Sequence, residues 1–171
     1  MRVLLIVAAL LLTGPHHAVA QDAAGVAAET AERDAYAMWR DANRLRNLGG
    51  ADNLERALEI FRQATERYLR EEGEDGELLP YYRAEVAATA TMLERSDEAR
   101  EARLAQIADL RRLDGDPMAL ADAFDRLAWL ELARGAHAEA IDAMREARAI
   151  YENLPDLADS SRLRLAGGFL D

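Results

Sequence analysis

From about residue 35 onward, apolar side chains return every three or four positions, and Glu, Asp and Arg fill the faces between them. That period belongs to amphipathic helices. No alternating run of Val, Ile, Thr or aromatic residues signals a strand. The pattern predicts an all-α chain with helices over 27–48, 53–70, 77–93, 97–113, 117–134, 137–151 and 156–165. Several boundaries carry a physical reason. Asp116-Pro117 joins a capping residue to a proline at the first helical position, where a missing N–H costs nothing. Ser96 is placed to cap the helix that follows it. Gly49-Gly50, Gly73, Gly76, Gly115 and Gly135 interrupt the helices at intervals. Leu154-Pro155 stops the helix that ends near Tyr151.

The helix RGAHAEAIDAMREARAIY, residues 134–151, puts small residues on the face that should turn inward: Gly135, Ala140 and Ala147, with Met144 and Tyr151 between and after them. The same arrangement recurs around Ala57 and Ala99, at separations of 42 and 41 residues. Four positions after each Ala stand Phe61, Arg103 and Met144; seven after stand Ala64, Gln106 and Ala147; eleven after stand Tyr68, Leu110 and Tyr151. An amphipathic helix precedes each, with Phe124, Leu127 and Ala128 in the third copy and Val86 and Ala87 in the second. Self-similarity at a fixed period is the mark of a repeat array. An ordinary helical bundle that uses Ala for its helix propensity is the competing reading.

Phe124, Leu127, Ala128, Gly135, Ala140, Met144, Ala147 and Pro155 resemble the pattern of the tetratricopeptide repeat, in a long variant of about 42 residues. The resemblance spans 35–155. It is fair in the first copy, where the turn at Gly49-Gly50 is about two residues longer. It is weakest in the second, where Glu94 replaces the turn glycine and Arg103 and Gln106 stand at apolar positions. The resemblance implies a right-handed α-solenoid of about three helix–turn–helix repeats, followed at 156–171 by a capping helix and tail, or by the opening of a fourth repeat. It also implies a concave groove on the first helices. The positions carried over are Arg40 and Arg44 in the first repeat, Tyr81, Ala84, Ala88 and Met92 in the second, and Asp122, Asp125, Trp129 and Leu132 in the third. Such a groove would have an apolar floor at Tyr81, Met92 and Trp129, charge of opposite sign at its ends, and room for an extended or helical peptide.

The N-terminal segment is a separate object. Arg2, an unbroken apolar run over 3–12, and Ala18-Val19-Ala20 before Gln21 give the layout of a secretory signal peptide over 1–20, with 21–34 as a linker. The run is too short for the ~20 apolar residues of a membrane span, the competing reading. Export to the periplasm or the exterior is the expectation. The chain has no Cys, so its stability rests on burial, and thiol catalysis and Cys-held metals are excluded.

All 21 basic residues are Arg, against 32 acids, for a formal charge of −11. That argues against nucleic acid, which requires clustered positive charge. It suits a chain that is monomeric or weakly self-associating. Glu71 to Glu77 form an acidic loop without the ligand spacing of a calcium loop, and read as a solvated, flexible segment. His137 has no partner His or Cys nearby, and no nucleophile–base pair or phosphate-binding glycine loop appears. No catalytic residue, cofactor or metal is expected. The lack of a nucleophile–base pair favours a non-enzymatic chain, and the resemblance implies a module that binds a protein or peptide. A regulatory part of an enzyme whose catalytic portion lies elsewhere, or a component of an envelope assembly, are the alternatives.

Overall fold

The computed structural model describes residues 34–154. Six helices account for most of them: α1 (Ala35–Leu48), α2 (Ala51–Glu72), α3 (Leu79–Met92), α4 (Ser96–Arg112), α5 (Pro117–Ala133) and α6 (His137–Glu152). No strand occurs among the described residues. None of these helices is long and apolar enough to cross a membrane. The signal segment expected at 1–20 and the helix expected at 156–165 lie outside the described residues.

The local chemistry accounts for most boundaries. The Asp34 side chain accepts a hydrogen bond of 2.6 Å from the Ala37 N–H, so α1 begins at Ala35; the earlier part of the helix expected from 27 lies outside the described residues. Asp116 caps α5 through the Met118 N–H at 3.0 Å, with Pro117 in the first turn. Ser96 does not cap α4. It is the first helical residue, and Arg95 holds the cap position with no side-chain hydrogen bond. Glu94 explains why: it takes a left-handed conformation, φ 58°, and the chain turns one residue early. Gly135 does the same at φ 76° in the turn between α5 and α6. In both turns the next N–H reaches back five residues, from Arg95 to the Ala90 carbonyl at 2.9 Å and from Ala136 to the Glu131 carbonyl at 2.8 Å. The glutamate therefore performs the glycine's turn.

Each helix packs most extensively on its hairpin mate, α1 on α2, α3 on α4 and α5 on α6; the next largest contacts are α2 with α3 and α4 with α5. The contact seams are built of alanine. Ala57, Ala99 and Ala140 are fully buried, and so are Ala42, Ala87 and Ala128 on the facing helices. Small side chains let two backbones approach toward the lower end of the ~8–10 Å interaxial range. From Ala42 to Ala57 is 15 residues, against 12 from Ala87 to Ala99 and from Ala128 to Ala140. The first hairpin thus holds three more residues between its seam alanines. The excess is helical: α2 starts one turn ahead of its counterparts, and the turn itself, at 49–50, is one residue shorter than those at 93–95 and 134–136. Ion pairs link equivalent helices of successive hairpins: Arg46 with Glu85, Arg62 with Glu98 through Nε at 2.7 Å, and Arg111 with Glu146 at 2.7 Å.

The acidic loop is held, contrary to the flexible segment its charge suggests. The Leu78 N–H donates to the Tyr68 hydroxyl at 3.1 Å, and the Tyr68 ring lies close over Gly76, where a Cβ would meet it at 2.5 Å. Arg112 binds the Asp75 carboxylate at 2.9 Å and the Glu74 carbonyl. An aromatic from α2 and a cation from α4 thus offset the loop's self-repulsion.

Candidate functional site

The middle hairpin differs from its neighbours in what fills its interior. In the third hairpin, Phe124, Met144, Ala147 and Ile150 share one apolar cluster. The equivalent positions in the second are Arg83, Arg103, Gln106 and Asp109. Asp109 is buried and answers Arg83, whose Nε lies 2.9 Å from its Oδ2, in ion-pair range though off the axis of a hydrogen bond. A second cation, Arg112, reaches the other oxygen of Asp109 at 2.9 Å.

Arg103 is different. It is 4% exposed, its Nη1 donates to the Gln106 amide oxygen at 2.5 Å, and its Nε has no partner. Among the described residues no carboxylate lies within ion-pair distance of it, although Glu85 and Asp122 act on it from farther off. Burial pulls its pKa down from 12.5 to about 10, which leaves it charged at neutral pH.

Arg103 lies at the floor of a cavity of about 450 Å³ between α3 and α5. Ala88, Thr91 and Met92 form one wall; Arg126, Trp129, Leu130 and Ala133 form the other. Met92 and Trp129 are large, apolar and more than half exposed. Arg126 holds the Asp122 carboxylate at 2.7 Å. A volume of this size is in the range that takes a ligand side chain or two.

Of the groove positions expected from sequence, Ala88, Met92 and Trp129 come together in this cavity. Tyr81 lines a separate one of about 330 Å³ near the other end of α3, with Pro80, Leu110 and Gly115. Eleven residues of helix, roughly 16 Å, separate Tyr81 from Met92. Ala84 and Leu132 are half-buried on α3 and α5. Arg40 and Arg44 are exposed on α1, with Arg44 3.8 Å from Asp41. Asp125 is half-buried and turned toward α6, where its Oδ2 accepts the Tyr151 hydroxyl at 3.0 Å; burial raises its pKa. Neither Asp122 nor Asp125 is therefore an uncommitted charge.

Sequence reasoning did not place Arg103, Thr91, Arg126, Leu130 or Ala133 in the site. The signal for Arg103 was present as a cation at an apolar position of the repeat. Arg126 was disguised, because an Asp four residues ahead of an Arg reads as a solvated helix pair.

Among the described residues, no group of three or more His, Asp or Glu side chains is gathered as a metal site would require. No protein-family model matches the chain, and no curated protein matches it either.

Proposed function

We propose that residues 34–154 are a right-handed α-solenoid of three tetratricopeptide-like hairpins, serving as a non-enzymatic module that seats a peptide or protein segment between α3 and α5. The observation that carries this reading is the concavity with Ala88, Met92 and Trp129 on its walls. Two neighbouring first helices supply them, as a groove along the inner side of an array would require. Exposed Met and Trp side chains beside a concavity are the residue types that anchor partners. The 41- and 42-residue spacing of the buried alanines supports the array. The apolar run at 3–12 and Ala18-Val19-Ala20 support export with cleavage after Ala20, so that the chain works in the periplasm or outside the cell.

Selection from a displayed random-peptide library tests the groove. Peptides retained by the protein are expected to lose about tenfold or more in affinity on Trp129→Ala. They should be unaffected by Arg145→Ala on α6, whose side chain is 75% exposed. Equal binding by the Trp129→Ala protein sinks the groove. N-terminal sequencing of the exported chain should begin at Gln21.

A further inference from the structure

We propose that the cavity between α3 and α5 recognises a protein segment carrying a carboxylate side chain flanked by large apolar residues, with Arg103 as the group that binds the carboxylate. This rests on the groove reading above and names the chemistry of its occupant.

Three observations carry it. The first is an asymmetry inside one hairpin. Arg83 and Arg103 both replace apolar residues of the repeat, and the fold supplies Arg83 with a carboxylate but gives Arg103 only an amide. A guanidinium has five N–H donors and no acceptor, so an amide oxygen leaves most of its capacity unused. The second is position. Arg103 is 4% exposed, with its Nε unpartnered, and its side chain lines a concavity that also holds Met92 and Trp129. A buried cation without a counter-ion is costly, and an entering anion relieves that cost. The third is a second guanidinium. Arg126 lines the same cavity from its rim; Asp122 answers its Nε at 2.7 Å, and its remaining N–H groups are further donors beside the cavity.

The surroundings select among anions. Glu85 and Asp122 act on Arg103 from beyond contact, so a doubly charged phosphate would be repelled more than a single carboxylate. Ala88, Met92, Leu130 and Ala133 offer no donors from their side chains to further oxygens, but they do offer cover for apolar neighbours of the acid. Met92 and Trp129 extend outward past the cavity. A free small acid would leave them uncovered, whereas a chain segment would cover them.

The test uses an array of short blocked peptides in which every Glu-containing sequence has a Gln twin, probed with the purified protein. Acidic members flanked by Leu, Phe or Trp are expected to bind about tenfold more tightly than their twins. Arg103→Met should abolish that ratio while keeping the weaker binding of the amides. Arg103→Lys should restore part of it, which a merely structural arginine would not do. In the unaltered protein, the Arg103 Nε–H resonance should shift on adding an acidic peptide and stay in place with its twin. Acid and amide twins that bind equally, both through Trp129, would overturn the carboxylate assignment and leave the groove intact. An array with no retained member sensitive to Trp129→Ala would overturn both. Three further outcomes also overturn the proposal: full competition by free N-acetylglutamate, self-association in sedimentation that Arg103→Met removes, and Nε–H cross-peaks to residues 156–171 in the protein alone. These would assign the cavity to a small acid, a second copy or the chain's own tail.

Discussion

Glu94 is a glutamate in a glycine's conformation. At φ 58° its Cβ crowds the following carbonyl, at a cost of about 1 kcal/mol. Glycine removes the crowding but loses more freedom on folding. Glu94→Gly is therefore expected to gain about 0.5 kcal/mol, read as a higher denaturant midpoint. Gly135→Ala should lose about 1 kcal/mol, and for the same reason, since nothing lies within 4 Å of a Cβ at that position. Asp125 offers a test of a different kind. Burial raises its pKa in the folded state above the ordinary Asp value of 3.8. The folded chain then holds that proton more tightly than the unfolded chain does. The stability contributed by the protonated form is present below the ordinary Asp range and is lost as pH rises through the folded-state value. Asp125→Asn keeps an acceptor for the Tyr151 hydroxyl and cannot ionise. Relative to the unaltered protein, the variant should gain stability between pH 3 and pH 7, measured by urea unfolding at both.

Elements α4 and α6 are equivalent rods with different interiors. Their shared seam is alanine, and that seam is the part least able to accept bulk. Ala140 is fully buried, so Ala140→Leu must push α5 and α6 apart, at about 1–3 kcal/mol, visible as a lower melting temperature. The interior of α4 makes the opposite prediction for size. Arg103→Met replaces an unpaired buried cation with an apolar chain of similar reach and should melt at or above the native temperature. Asp109→Ala strips the counter-charge from Arg83 and should cost about 2 kcal/mol, discounted for the partial exposure of that arginine. Much of this was legible beforehand. The alanine register, the Asp116-Pro117 start and the departure of the second copy at Glu94, Arg103 and Gln106 can all be read along the chain. The identity of the groups answering those polar residues cannot, because Asp109 lies 26 residues from Arg83 and looks like any exposed helical acid. Ser96 misled for a related reason: a serine's capping tendency gave way to a tertiary turn that Glu94 completes one residue earlier.

Across the described residues as a whole, packing is sequential. Each hairpin meets the next mainly through one pair of neighbouring helices, and ion pairs between equivalent helices, such as Arg62–Glu98 and Arg111–Glu146, add to the contact. Stability in such an arrangement is distributed as local and nearest-neighbour contributions. Damage at one end should therefore be felt least at the other. In the Ala140→Leu protein, the amides of α5 and α6 are expected to exchange with solvent faster, while those of α1 and α2 keep most of their protection. Uniform loss across all six helices would point instead to a single shared core.

Sequence alone determined the helical class, the hairpin boundaries to within a few residues, and the buried alanines at a 41- to 42-residue spacing. These follow from a period of 3.6 residues and from turn chemistry, which act over a few neighbouring positions. Tertiary structure decided what depends on residues far apart in the chain. It parted Tyr81 from Met92 into separate cavities, tied down the acidic loop with Tyr68 and Arg112, and gave Arg83 a carboxylate while leaving Arg103 without one. Helical periodicity states which face turns inward, and the meeting of two faces settles what each buried charge finds there.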